Sequence, residues 1–254
     1  YFAQIPDSSG LYSDSSFQVA NMLGSLAQAE HLEGLKDGPH AQRFLAHVNQ
    51  KLQAVPALKV ELSVLLAGHY ESLEKDNEAA NTLVGVSAEK EFTNQHKFYL
   101  ANLLEKTRRY QESTDLVQEM IKVDPKNAHA WNFLGYAMLE RGESPEASFP
   151  FIQKAISLAP QDGYIRDSLG WYYFKTGQMT QALRELNTAF TKAPDDMVIA
   201  KHLVVIHQTL KDFNRARQFL GHAMKNARLK SERRDLTELE QGLEEASRRP
   251  ASLD

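Results

Sequence analysis

Apolar residues recur along most of this chain at steps of three and four, the spacing that lays one stripe along an α-helix. Phe17, Ala20, Leu23, Gly24 and Ala27 predict a helix over about 17–33, which the run from Gly34 to Pro39 ends. Phe44, Val48 and Leu52, at steps of four, predict a second over about 40–53, followed by Pro56. Beyond this the helical pattern itself repeats. Leu66, Leu100, Leu134, Leu169 and Leu203 stand 34, 34, 35 and 34 residues apart. The next residue is small in Ala67, Ala101, Gly135 and Gly170, with Val204 the exception. Four places after each leucine stands a larger side chain: Tyr70, Leu104, Met138, Tyr173 and His207. Further along run Ala79, Ser113, Ala147, Ala182 and Ala216, then Leu83, Val117, Phe151, Leu186 and Leu220, then Val86, Met120, Ala155, Ala189 and Ala223. Prolines 125, 160 and 194 close three of the units.

This spacing has a physical cause. A unit of about 34 residues holds two antiparallel helices and a tight turn. Small residues mark where two backbones approach, bulky ones fill the space between units, and the closing proline starts a loop because it cannot continue a helix. One hairpin cannot bury its own apolar stripe, so units stack. The expected units are 60–93, 94–127, 128–162, 163–196 and 197–228. The third departs from the rest: Leu134 to Ala155 is one residue longer than its counterparts, and Pro145 and Pro150 both fall around its second helix. Pro145 suits a helix start with Ser144 before it, whereas Pro150 lies where a proline costs a hydrogen bond. An irregular, widened turn is expected there. Residues 1–16, rich in Ser, Asp and Gly, are expected to form an extended or disordered lead-in. Residues 17–59 form a helical hairpin. Leu236, Leu239 and Leu243 on a highly charged helix over 229–248 suit an end cap, and 249–254 reads as a tail.

Residues 131–147 read Trp131-x2-Leu134-Gly135-x2-Met138-x3-Gly142-x4-Ala147, and the unit ends in Pro160. This pattern resembles the tetratricopeptide repeat (TPR). The match is strongest over 127–194 and extends over about 60–228, with a divergent sixth repeat as one reading of 17–59. The resemblance implies an all-α fold, a right-handed α-solenoid of stacked antiparallel helix hairpins. The pairing of Asn132-Phe133-Leu134-Gly135-Tyr136 with Asp167-Ser168-Leu169-Gly170-Trp171 further resembles periplasmic or lipid-anchored TPR proteins of Gram-negative bacteria. That resemblance implies a location in the periplasm or at the outer membrane, with a cytoplasmic location as the alternative.

Composition changes this picture little. The formal net charge is −4 and there is no cysteine, so thiolate metal sites, disulfides and cysteine nucleophiles are excluded, and nothing suggests nucleic acid. No apolar run approaches the ~20 residues of a membrane-spanning helix. Residue 1 is Tyr, so a processed or trimmed form is expected. The sequence lacks HExxH, GxSxG, P-loop and GxGxxG motifs. His40 with His47, and His202 with His207, are the closest histidine pairs. Seven apart they stand two turns from each other and five apart they leave the shared face, so they are read as structural or surface residues. No cofactor and no metal are expected.

Function is therefore sought in the groove. The TPR resemblance implies that the first helix of each unit lines a concave surface through positions 2, 5, 9, 12 and 13. Counting from Asn94, Ala128, Gly163 and Met197, position 5 gives Phe98, Asn132, Asp167 and Lys201. Position 9 gives Asn102, Tyr136 and Trp171, position 2 adds Tyr164, and positions 12 and 13 add Phe174 and Lys175. Asn102, Asn132 and Asp167 are expected to run as a polar ladder for an extended backbone, beside an aromatic surface of Tyr136, Tyr164, Trp171 and Phe174. The clamp by which some TPR modules hold acidic chaperone tails is missing, since Phe98 stands where its lysine belongs and Phe133 where its asparagine does. The expected function is a non-catalytic adaptor for a protein or peptide, such as a periplasmic protease or cell-wall enzyme. A self-assembling scaffold is the alternative, and an enzyme with a dispersed site is a third reading.

Overall fold

The computed structural model describes residues 10–35 and 37–248. The chain divides into two compact units, Tyr1–Leu116 and Val117–Asp254. Among the described residues there are thirteen α-helices and no strand. The expected tail, 249–254, and the first nine residues of the expected lead-in lie outside the described residues.

In the first unit the helices are α1 (Gly10–Leu32), α2 (Pro39–Ala54), α3 (Lys59–Ser72), α4 (Asp76–Val84) and α5 (Asn94–Lys106), followed by the start of α6 (Tyr110–Val123). Helix α1 begins at Gly10, so residues 10–16 are helical rather than extended. Glu30 explains how α2 starts without a side-chain cap at Gly38. Its carboxylate accepts the backbone N–H of His40 and of Ala41 at 3.0 and 3.1 Å, and the His40 Nδ1 at 2.7 Å. Phe44, Val48, Leu62 and Ala20 fill the first core, and Leu83, Leu103, Leu104 and Ala79 the second.

The second unit holds the rest of α6, then α7 (Ala128–Glu140), α8 (Pro145–Leu158), α9 (Gly163–Lys175), α10 (Met179–Lys192), α11 (Met197–Thr209), α12 (Phe213–Asn226) and α13 (Lys230–Arg248). Helices α7 and α8, α9 and α10, and α11 and α12 pack as pairs, and each pair packs on the next. Leu236 and Leu243 of α13 are buried against α12 while the charged remainder stays in water. Close approach within a pair depends on glycine. A Cβ at Gly135 would stand 2.5 Å from Ile152 Cγ1 and 3.1 Å from the Ile152 backbone nitrogen. At Gly170 it would stand 2.7 Å from Leu186 Cγ and 3.1 Å from the Leu186 nitrogen.

The turn between α7 and α8 has four residues, 141–144, where its counterparts have three. The widened turn is therefore present. Helix α8 nevertheless begins at Pro145 and runs through Pro150, which is exposed, so the Glu146 carbonyl that loses its donor stands where water can replace it. The extra residue precedes the first helix–helix contact, and this shifts two columns of the repeat. Ser148 and Ile152 are buried where Ala147 and Phe151 are expected, and Ala147 is exposed. From Ala155 onward the columns coincide again.

In the five hairpins from α3 onward the first helix ends in the same backbone form. Glu74, Arg108, Gly142, Gly177 and Lys211 have φ of 59, 60, 76, 74 and 59°. The next amide bonds back to the carbonyl five residues earlier, as in Lys75 to Tyr70, Arg109 to Leu104 and Asp212 to His207. This closure satisfies a carbonyl that the helix end would leave open. A β-carbon is strained in this region, by about 1–2 kcal/mol, and glycine gives back part of that through its greater freedom when unfolded. Lys211→Gly is accordingly expected to stabilise the second unit by roughly 0.5–1 kcal/mol in urea denaturation.

Candidate functional site

The face built by α7, α9 and α11 carries the densest polar and aromatic arrangement of the second unit. Three helix N-termini fix its register. Asn127 Oδ1 accepts the Ala130 amide. Asp162 Oδ1 accepts those of Tyr164 and Ile165, and Asp196 Oδ1 those of Val198 and Ile199, all at 2.9 to 3.1 Å. Such caps hold the first turn and hence the direction of every side chain after it.

Two turns along α9, Trp171 is the centre of the face. Its ring stacks on His202 of α11, with centroids 4.0 Å apart and planes at 16°. It also stacks on Phe174 at 4.9 Å, and Lys175 Nζ lies 4.9 Å above it. Its Nε1–H donates to Glu140 Oε1 of α7 at 2.8 Å. Beneath the ring, His202 Nδ1 is 2.8 Å from Asp167 Oδ1, and His202 Nε2 is 3.3 Å from the Tyr136 hydroxyl. A single connected group of side chains thus ties three successive hairpins together. Burial, and then the nearby Glu140, Asp167 and Asp196 carboxylates, push the Tyr136 hydroxyl well above the ordinary tyrosine range.

Not every expected groove residue is open to a ligand. Trp171 is 7% and Asp167 5% exposed. Trp171 is covered by His202 and Phe174, so it supports the face and is not a free anchor. Asp167 points at the next hairpin, where His202 takes it, and so it does not form a rung with Asn132. Tyr136, Asn132, Phe174 and Lys201 are half-buried and Lys175 is exposed. Asn132 Oδ1 is enclosed without a hydrogen-bond partner. Tyr164, 52% exposed, stands apart from this group. It lines a cleft of about 610 Å³ at the loop end of the hairpins with Gln161, Lys192, Pro194, Asp195 and Arg228. Phe98 and Asn102 belong to the first unit. There Asn102 is exposed but donates its amide to the Phe98 carbonyl of its own helix at 2.9 Å.

Two members of the site are absent from the expected set. Glu140 falls at a groove position by the repeat count, but its partner Trp171 lies 31 residues away. His202 pairs with no other histidine, which makes it look merely structural. Its position between Lys201 and Leu203, one repeat after Asp167, is the signal that a buried carboxylate could be waiting for it. Among the described residues no three His, Asp or Glu side chains converge as metal ligands, and no helix is long and apolar enough to cross a membrane.

Residues 93–163 match the family model described as tetratricopeptide repeat. A TPR repeat-containing protein of Pseudomonas aeruginosa is 37% identical over 81 residues, 32% of this chain, and the matched stretch spans 14% of that protein's length. Among solved structures, a thermophilic TPR protein of Thermus thermophilus superposes with a TM-score of 0.59 at 15% identity, over 73% of this chain and 97% of that one. The pilF protein of Pseudomonas aeruginosa does so with a TM-score of 0.51 at 11% identity, over 88% and 98%. At these identities the structures speak to the fold. The chain carries tetratricopeptide repeats, by sequence over residues 93–163 and by fold over most of its length.

Proposed function

We propose that this chain is a non-catalytic adaptor that holds a segment of a partner protein on the α7–α9–α11 face of its second unit. The observation that carries the reading is the connected network of Tyr136, His202, Asp167, Trp171 and Glu140, buried at His202, Asp167 and Trp171, which fixes three hairpins in one arrangement before any ligand arrives. A surface rigid in advance loses less entropy on binding, and so retains more of its contact energy as affinity. Around that rigid floor, Asn132, Tyr136, Glu140 and Lys175 leave polar edges at the surface. We place the protein in the periplasm or at the outer membrane of a Gram-negative bacterium, with a protease or cell-wall enzyme as partner. The support is the resemblance carried by residues 132–136 and 167–171.

Photo-crosslinking in the native cell tests this reading. A crosslinking side chain is placed at position 132, on the face, or at Lys225, exposed on α12. Position 132 is expected to trap a defined exported protein and position 225 none. Equal trapping at both positions, with unaltered thermal melts, would remove the face as the binding surface. Trapping of cytoplasmic proteins alone would overturn the location.

A further inference from the structure

On this face the direction of each hydrogen bond can be followed atom by atom. Asp167 and His202 are both buried, 2.8 Å apart. An ionised carboxylate only accepts, so Nδ1 of the imidazole carries a proton. In the neutral ring Nε2 is then an acceptor, and the Tyr136 hydroxyl, 3.3 Å away, donates to it. With that tautomer the tyrosine's proton is turned inward, and what its oxygen leaves for a ligand is lone pairs. One turn later on α7, Glu140 spends Oε1 on the Trp171 indole. Its Oε2 has no partner among the described residues, and the side chain is exposed. One turn earlier stands Asn132, half-buried, with its Oδ1 enclosed and without a partner. Positions 132, 136 and 140 are four apart and share one helix face.

The charges agree with this polarity. Those acting on Tyr136 are Glu140, Asp167 and Asp196, all carboxylates. The cations of the same helices are Arg166, paired with Glu185 of α10, Lys175, drawn over the Trp171 ring, and Lys201, beside His202 on α11. A ligand group at Tyr136 and Glu140 therefore meets acceptors and negative charge.

We propose that Tyr136 and Glu140 take a basic side chain, an arginine or lysine projecting from the partner segment, with its N–H groups on Tyr136 Oη and Glu140 Oε2. The proposal rests on the adaptor reading and adds to it a sign: the face selects basic segments and rejects acidic ones. A charge-assisted bond in a partly shielded site contributes about 1.5–3 kcal/mol, or roughly ten- to a hundredfold in affinity.

Three labelled peptides of equal length test it by fluorescence anisotropy. They alternate alanine with arginine, with citrulline (the uncharged isostere) or with glutamate. The arginine peptide is expected to bind at least about tenfold more tightly than the citrulline peptide, and the glutamate peptide not to bind. Glu140→Gln, which keeps an acceptor for the Trp171 indole, should weaken the arginine peptide about tenfold at an unchanged thermal melt, and Tyr136→Phe should weaken it severalfold with a lowered melt, because it leaves the buried His202 Nε2 unpaired. Glu240→Gln on the outer side of α13 makes the same change of net charge and should shift affinity less than about twofold, since exposed distant charges are screened. Equal affinity for arginine and citrulline peptides, an equal effect of Glu140→Gln and Glu240→Gln, or no binding of the arginine peptide would overturn the proposal. If position 132 still traps a partner whose bound segment is acidic, the adaptor reading stands and this inference falls.

Discussion

Gly170→Ala is expected to destabilise the second unit by about 2–3 kcal/mol, although alanine is the better helix former. The added methyl would stand 2.7 Å from Leu186 Cγ and 3.1 Å from the Leu186 backbone nitrogen. The leucine side chain is fully buried, and the nitrogen belongs to α10 itself. Helices α9 and α10 must therefore move apart, which loosens every contact along the pair. Intrinsic propensity alone would give a gain of about 1 kcal/mol. The two accounts differ in sign, so urea denaturation decides between them. Gly221→Ala is the matching control: this glycine is exposed on α12, nothing lies within 4 Å of its added carbon, and a gain of about 0.5–1 kcal/mol is expected there. A Gly170→Ala protein as stable as wild type would mean that the helix pair is not closely packed.

Asp167→Ala is expected to cost about 3 kcal/mol, because it leaves the His202 Nδ1–H buried without an acceptor. The loss should spread, since His202 is the surface on which Trp171 stacks and the acceptor of the Tyr136 hydroxyl. Asp167→Asn keeps one acceptor oxygen in place and should cost less. A double-mutant cycle with His202→Ala is expected to show a coupling above about 1 kcal/mol, as contacting buried polar pairs do. Additive single effects would mean that the two side chains do not interact.

The fold was legible because its signal is periodic. Leu134 with Gly135, and Leu169 with Gly170, place a filler beside a close approach, and the chain repeats that pair at a fixed interval. The error in the third repeat has a simple origin. Counting shows one extra residue between Leu134 and Ala155 but not where it sits, so it assigns Ala147 and Phe151 to the core in place of Ser148 and Ile152. A choice between two small or two large apolar neighbours carries no pattern of its own. In the site, position within a repeat shows that Trp171 and Asp167 lie on the α9 face, but not whether they are open. That depends on His202, 35 residues beyond Asp167, and a stripe read along one helix carries no information about what the following hairpin lays over it.

The four-residue turn between α7 and α8 has one more consequence. It takes up an extra residue while Ala155 and everything after it keep their places. In effect it is an expansion joint: length can change there and the spacing of the bearing surfaces on either side is conserved. Of all the hairpin turns in this chain, 141–144 is thus the place to graft a foreign loop or a reporter. The face formed by α7, α9 and α11 would remain in register.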